Sequence, residues 1–266
     1  MTDLEFAALS ACIHKLTKID LGCYKPQQMR RRLDNCVASQ GMPVRSYFAL
    51  LERDPRVLDK LRGFLTINVS EFFRDADQFD ILRSHVLSDL VGQTPSINVW
   101  SAGCSIGAEP YTVAIMLNEL TPKASHRILG TDLDSQALAT ARAGGPYSAA
   151  DIRNVNKAMA MKYFTMVDGQ WWIKESIREK VQFRQQNLLT DRFEQGFDLI
   201  LCRNVVIYFS EETKATLNEK FSRALKTDGW LFIGGAEGLF HAAEQGFERR
   251  FASLYQKRAA QLRSAA

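Results

Sequence analysis

Two glycines four residues apart, Gly103 and Gly107, stand between a short apolar run (Ile97, Val99) and a run carrying Val113, Ile115, Met116 and Leu117 at helical spacing. Glycine lacks a Cβ, so such a turn can take left-handed dihedrals and press its backbone against a ligand. Strand, glycine turn and helix N-terminus together form a nucleotide-shaped cradle at a sheet edge. Gly103-x-x-x-Gly107 does not fit the dinucleotide pattern G-x-G-x-x-G, so the turn alone leaves the nucleotide open. Farther on, Gly130-Thr131-Asp132-Leu133-Asp134 places acids at the end of a second strand, where a carboxylate accepts ribose hydroxyl hydrogens. Asp132, nearer the strand end, is the candidate. Asp134 or Ser135 instead caps the following helix, residues 136–143, which Gly144-Gly145-Pro146 ends.

A third strand ends in Gln186-Asn187-Leu188, where Asn187 either accepts an adenine amino hydrogen or forms a plain turn. A fourth ends in Cys202-Arg203-Asn204-Val205-Val206-Ile207-Tyr208-Phe209. Arg203 and Asn204 there occupy the place where open sheets bind ligands, and Tyr208 either lines the reacting centre or packs with Phe209. A nicotinamide enzyme would carry the dinucleotide fingerprint and a His or Tyr-Lys proton relay. None of the histidines (His14, His85, His126, His241) falls at a strand end. The expected cofactor is therefore S-adenosylmethionine, with S-adenosylhomocysteine as product and no metal.

The elements that must position these residues fall into two grammars. Phe6, Leu9, Ile13, Leu16 and Ile19 recur at three- and four-residue steps, and further helical pieces follow at 29–37, 44–51 and 57–65. No strand pattern precedes Ile97. A linking helix at 77–90 and a turn-rich joint at 92–96 lead into alternating strand and helix signals, with strands at 97–100, 127–130, 181–186, 197–201, 230–234 and 252–256. That alternation predicts an α/β fold, a Rossmann-like parallel sheet with helices on both faces. A hairpin at 163–173 about Asp168-Gly169 adds a small antiparallel β-insert. The expected domains are a helical substrate-recognition domain (1–70), a linking helix and joint (71–96), and a methyltransferase domain (97–266) with the insert near 162–185.

Composition sets outer bounds. The 266 residues are 46% hydrophobic and 24% charged, ordinary for a globular chain. Acids at Asp3 and Glu5 stand where a signal peptide has bases, and no apolar span approaches the roughly 20 residues of a membrane helix. Five scattered cysteines without CxxC spacing fit a reducing compartment, so a cytoplasmic monomer without membrane insertion is expected. The net charge is +4, and Lys15, Lys18, Lys25, Arg30, Arg31 and Arg32 face only Asp20 in their stretch, which attracts acidic partners or forms a solvated helix face.

One upstream segment, Leu65-Thr66-Ile67-Asn68-Val69-Ser70-Glu71-Phe72-Phe73-Arg74-Asp75, reads by pattern as a helix start with Ser70 as cap. It also resembles the T-x-N-x-T-x-F-F-R signature of the chemotaxis receptor methyltransferases of the CheR type. Trp100–Tyr111, Cys202–Phe209 and the early Tyr24-Lys25, Met29 and Arg32-Leu33 are similar to that family too, in its order. The resemblance implies a protein-glutamate O-methyltransferase acting on cytoplasmic helices of methyl-accepting chemoreceptors. It implies that Asn68, Ser70, Arg74, Glu109, Asp132, Asn187, Leu188, Arg203 and Asn204 surround S-adenosylmethionine, alongside Gly103 and Gly107, with Arg74 and Tyr208 nearest to transfer. Ser70 stands for the commoner Thr, and Gly234-Gly235-Ala236-Glu237 differs from the usual G-H-S-E, so that loop receives no role. Some members dock a receptor tail on the β-insert; the turn here is short. The alternatives are an RNA or DNA methyltransferase, against which Asn204-Val205-Val206-Ile207 lacks the Asn/Asp-Pro-Pro loop, and a non-catalytic S-adenosylmethionine-binding adaptor.

Overall fold

A computed structural model of the chain describes residues 1–66, 70–239 and 241–258. They form two compact units, Met1–Asn68 with Ile207–Ala215, and Val69–Val206 with Thr216–Ala266.

The first unit contains helices α1 (Asp3–Thr17), α2 (Pro26–Ser39), α3 (Val44–Arg53) and α4 (Pro55–Thr66). Thr2 and Glu5 form a reciprocal capping box at the start of α1, satisfying amide donors that the first turn leaves open. The periodic apolar residues Leu9, Ile13, Leu33, Tyr47, Leu51 and Leu61 are buried. The basic cluster is thinner than the sequence count implies. Arg30 pairs with Asp3, Lys15 pairs with Glu52, and Arg32 donates to the Phe64 carbonyl while lying over the Phe64 ring. Lys18 and Arg31 remain exposed.

Residues 207–215 fold into this unit although they follow a strand of the other. The Lys25 N–H donates to the Tyr208 carbonyl at 2.9 Å, and the Ser210 N–H donates to the Cys23 carbonyl at 2.9 Å. Tyr24 and Phe209 meet edge to face with ring centroids 4.9 Å apart. Tyr208 lies beneath Arg32, whose guanidinium carbon is 5.8 Å from the Tyr208 ring centre.

In the second unit the helix expected at Ser70 does not form. Phe73 (φ 51°) and Asp75 (φ 60°) are left-handed, and α5 begins at Ala76. Helix α5 (Ala76–Ile81), a π-helical stretch (Leu82–Leu87) and α6 (Ser88–Gln93) make one continuous linking helix. There follow β1 (Asn98–Ala102), α7 (Ala108–Leu120), β2 (Arg127–Asp132), α8 (Ser135–Ala143), α9 (Lys157–Tyr163), β3 (Phe164–Val167) and β4 (Gln170–Ile173). The chain continues through α10 (Glu175–Arg178), β5 (Val181–Gln185), β6 (Phe197–Cys202), α11 (Glu211–Ala224), β7 (Leu225–Ile233), β8 (Phe247–Arg249) and β9 (Leu254–Lys257).

The main sheet has the order β5-β2-β1-β6-β7-β9-β8, parallel from β5 to β7 with an antiparallel end at β9 and β8. Val99, Ile115, Ile128, Leu199, Leu201 and Phe232 belong to one continuous core. Burial on both faces explains why these strands read as apolar runs. The insert is confined to the β3–β4 hairpin, and Val181–Gln185, which the expected span 162–185 included, is the outer strand of the main sheet. Strand β8, three residues long, carries too little pattern to read from sequence. No helix among the described residues is long and apolar enough to cross a membrane.

Candidate active site

The strand order reverses at β1, which lies between β2 and β6, and open parallel sheets bind ligands at the carboxyl ends beside such a reversal. The glycine turn is there. Gly103 (φ 82°), Ser105 (φ 49°) and Gly107 (φ 87°) are all left-handed, and the Gly103 and Cys104 N–H groups donate to the Thr131 carbonyl at 2.8 and 2.9 Å. A Cβ on Gly103 would stand 2.5 Å from a Val205 methyl, and one on Gly107 2.9 Å from the Ala141 Cβ. Both positions therefore need glycine for conformation and for space.

Asp132 is buried at the end of β2. Its carboxylate accepts the Ser105 N–H at 2.7 Å and the Asp134 N–H at 2.9 Å, so it clamps the glycine turn onto the second strand. Burial raises its carboxyl pKa above the ordinary 3.8, opposed by those same amide hydrogen bonds. Asp134 caps α8 as expected, accepting from the Gln136 and Ala137 N–H groups.

A charged cluster sits between β1, β6 and the turn before α5. Arg203 is buried, its side chain 2% exposed, with its guanidinium carbon 4.9 and 4.6 Å from the Phe79 and Phe232 ring centres. It donates to Asp75 at 2.6 Å and to the Arg74 carbonyl at 3.1 Å, and lies 3.7 Å from a Glu109 oxygen. The other Glu109 oxygen accepts the Ser101 hydroxyl at 2.7 Å. Arg203 thus fastens the Arg74 turn to the start of α7. Further ties are the Phe73 N–H to Thr112 Oγ1 (3.1 Å) and Phe72, buried edge-on against Tyr147 and Phe164. Arg74 is half-buried and close enough to Glu109 to favour its ionised form.

Burial nevertheless raises the Glu109 pKa above the ordinary 4.5, against Arg203, the Ser101 hydroxyl and Arg74. Folded Glu109 then holds its proton more than unfolded Glu109 does from about pH 4.5 up to the raised value, so its contribution to stability falls as pH rises through that window. Glu109→Gln is expected to make that slope shallower by up to about 1.4 kcal/mol per pH unit. Urea unfolding between pH 4 and 7 reads it; an unchanged slope would count against a buried, titrating Glu109.

Of the other expected residues, Asn187 closes a local turn: its side-chain oxygen accepts the Leu189 N–H at 2.9 Å. Leu188 is buried beside it. Asn204 is left-handed (φ 59°) and its N–H donates to Glu237 at 2.9 Å. Ser70 is half-buried at the start of the Arg74 turn. Asn68 lies outside the described residues, and Tyr208 belongs to the helical unit. Sequence reasoning does not single out Asp75 or Glu237. Asp75 adjoins Arg74 in the signature segment, and Glu237 is the acid that survives in the altered Gly234–Glu237 loop.

The chain matches two described families, "CheR methyltransferase, SAM binding domain" over residues 68–255 and "CheR methyltransferase, all-alpha domain" over residues 4–66. It is similar to a chemotaxis protein methyltransferase of Listeria innocua serovar 6a, 37% identical over 230 residues that cover 86% of this chain and 87% of the relative. Chemotaxis protein methyltransferase 1 of Pseudomonas aeruginosa is 33% identical over 251 residues, covering 88% of this chain and 90% of the relative. Chemotaxis protein methyltransferase 2 of Vibrio cholerae serotype O1 is 32% identical over 263 residues, covering 94% and 91%.

Proposed function

The chain belongs to the CheR methyltransferase family and is an S-adenosylmethionine-dependent methyltransferase, and from that premise we propose that it esterifies glutamate side chains on chemoreceptor helices. The observation that carries this reading is the Arg203 tie, which fixes the Arg74 turn beside Glu109 at the carboxyl ends of β1 and β6. The donor set fits the cofactor: the Glu109 carboxylate suits an ammonium, the Arg74 guanidinium a carboxylate, and the Asp132 carboxylate a ribose diol. In this reading Gly103, Gly107, Ser70, Asn187, Leu188 and Asn204 complete the pocket, with Asn68 in the segment outside the described residues. Arg203 acts from beneath by holding Glu109 and the Arg74 turn.

When bound, S-adenosylmethionine supplies an electrophilic methyl on sulfonium sulfur, and transfer to a carboxylate oxygen leaves neutral S-adenosylhomocysteine. A glutamate carboxylate, with an ordinary pKa of about 4.3, is already ionised near neutral pH. The protein's task is then orientation and exclusion of water rather than proton removal. Arg74 and Tyr208 are the residues we place nearest to the reacting carboxylate. The helical unit is the substrate-recognition domain, and its exposed Lys18 and Arg31 complement the acidic flanks of a receptor helix.

Transfer of a labelled methyl to a cytoplasmic receptor fragment tests the reading. Base-labile label that disappears when the fragment's acceptor glutamates become alanine is expected. Base-stable label, label retained in the alanine fragment, or label on nucleic acid would sink it.

A further inference from the structure

The Gly234–Glu237 loop, left without a role by its sequence, closes the carboxyl ends of β6 and β7. A single Glu237 oxygen, Oε2, accepts the Asn204 N–H at 2.9 Å and the Gly234 N–H at 2.6 Å. The packing is close at two consecutive glycines. A Cβ on Gly234 would stand 2.6 Å from that oxygen and 3.0 Å from the Asn204 nitrogen, and one on Gly235 would stand 2.5 Å from the Gln78 amide nitrogen. Gln78 is itself fixed by the Ser253 hydroxyl at 2.8 Å. Asn204 is in the left-handed region, which asparagine tolerates better than most residues with a Cβ, and its N–H is the group that Glu237 holds. The Glu237 carboxylate is placed to fix the Asn204 turn in one position against Gly234.

We infer that Glu237 is a positioning residue for methyl transfer: by receiving both amide hydrogens on one oxygen, it sets the Asn204 turn against which the cofactor binds. The inference rests on the cofactor reading above. It assigns the role to the acceptor oxygen rather than to the negative charge. Glutamine keeps a carbonyl oxygen at the same reach and has no charge; alanine has neither.

Binding of S-adenosylhomocysteine by calorimetry, together with the KM for S-adenosylmethionine, separates these possibilities. Glu237→Ala is expected to weaken binding and raise KM about ten-fold or more, as for loss of two hydrogen bonds. Glu237→Gln is expected to restore both to within about three-fold of the unsubstituted chain. A loop that only supports folding would lower the melting temperature and the active fraction, leaving the dissociation constant of the folded protein unmoved. Should Glu237→Ala not fold, Gly234→Ala disturbs the same oxygen from the other side and is held to the same ten-fold expectation. A change of less than three-fold in the truncating variant, or a glutamine variant as impaired as alanine, overturns the inference. If the unsubstituted chain does not bind S-adenosylhomocysteine, the cofactor reading fails instead, so the two failures are distinct.

Discussion

Replacing Arg203 with methionine is expected to cost about 3–5 kcal/mol of folding stability, the range seen when one partner of a buried ion pair is removed. The guanidinium is enclosed between two aromatic rings, and its loss leaves Glu109 buried beside Ser101 without its principal counter-charge. It also frees the Arg74 carbonyl and Asp75 from the end of β6. Asp75 is 44% exposed, so its share of the pair is screened by water and the Glu109 side carries most of the cost. Urea unfolding of four proteins checks this. Arg203→Met combined with Glu109→Gln is expected to be more stable than the sum of the single changes predicts, by about 1–3 kcal/mol. Strict additivity would mean that the two side chains are neighbours without coupling. Cofactor affinity is expected to fall in both variants that lack Arg203, because the Arg74 turn loses its anchor.

The second large effect is expected at Asp132. Truncation to alanine strands the Ser105 and Asp134 amides in a buried position, each costing about 1–3 kcal/mol. Because Ser105 lies between the two glycines, that cost falls on the turn proposed to hold the cofactor. S-adenosylhomocysteine affinity should drop by roughly two orders of magnitude, the equivalent of about 2.8 kcal/mol. Asp132→Asn keeps one acceptor oxygen and turns a donor toward the other amide, so it is expected to fall between alanine and the unsubstituted chain. Calorimetric titration together with chemical unfolding reads both quantities. An alanine variant within three-fold of normal affinity would show that the turn holds its shape without the carboxylate.

The parallel sheet was legible because its strands are buried on both faces, giving apolar runs such as Leu199-Ile200-Leu201-Cys202 that lead into polar residues at the ligand side. The Asp168-Gly169 hairpin was legible for a different reason: Asp168 (φ 50°) and Gly169 (φ 76°) need the left-handed region that this dipeptide tolerates. Local pattern failed where distant contacts decide the backbone. Ser70 to Asp75 has the residues of a helix start, yet Phe72 is drawn into the core between Tyr147 and Phe164, and Arg203 pulls the Arg74 carbonyl toward β6. Arg203 was identified as a ligand-side residue from its strand end. Its burial was not legible, because the enclosing rings Phe79 and Phe232 come from a helix and a strand far away in sequence. Glu237 was hidden for a similar reason: its acceptor role depends on Asn204, thirty-three positions earlier.

The union of residues 207–215 with the N-terminal helices bears on how this enzyme can be recombined with its relatives. A chimera that imports only the first 68 residues would pair foreign side chains with the native Tyr208–Phe209 strip, breaking the matched Tyr24–Phe209 and Arg32–Tyr208 packing. The inheritable module is discontinuous. If the helical unit reads the receptor as proposed, a swap of receptor preference should travel with both pieces, and Tyr208 then moves with the N-terminal helices rather than with the sheet that carries Asp132.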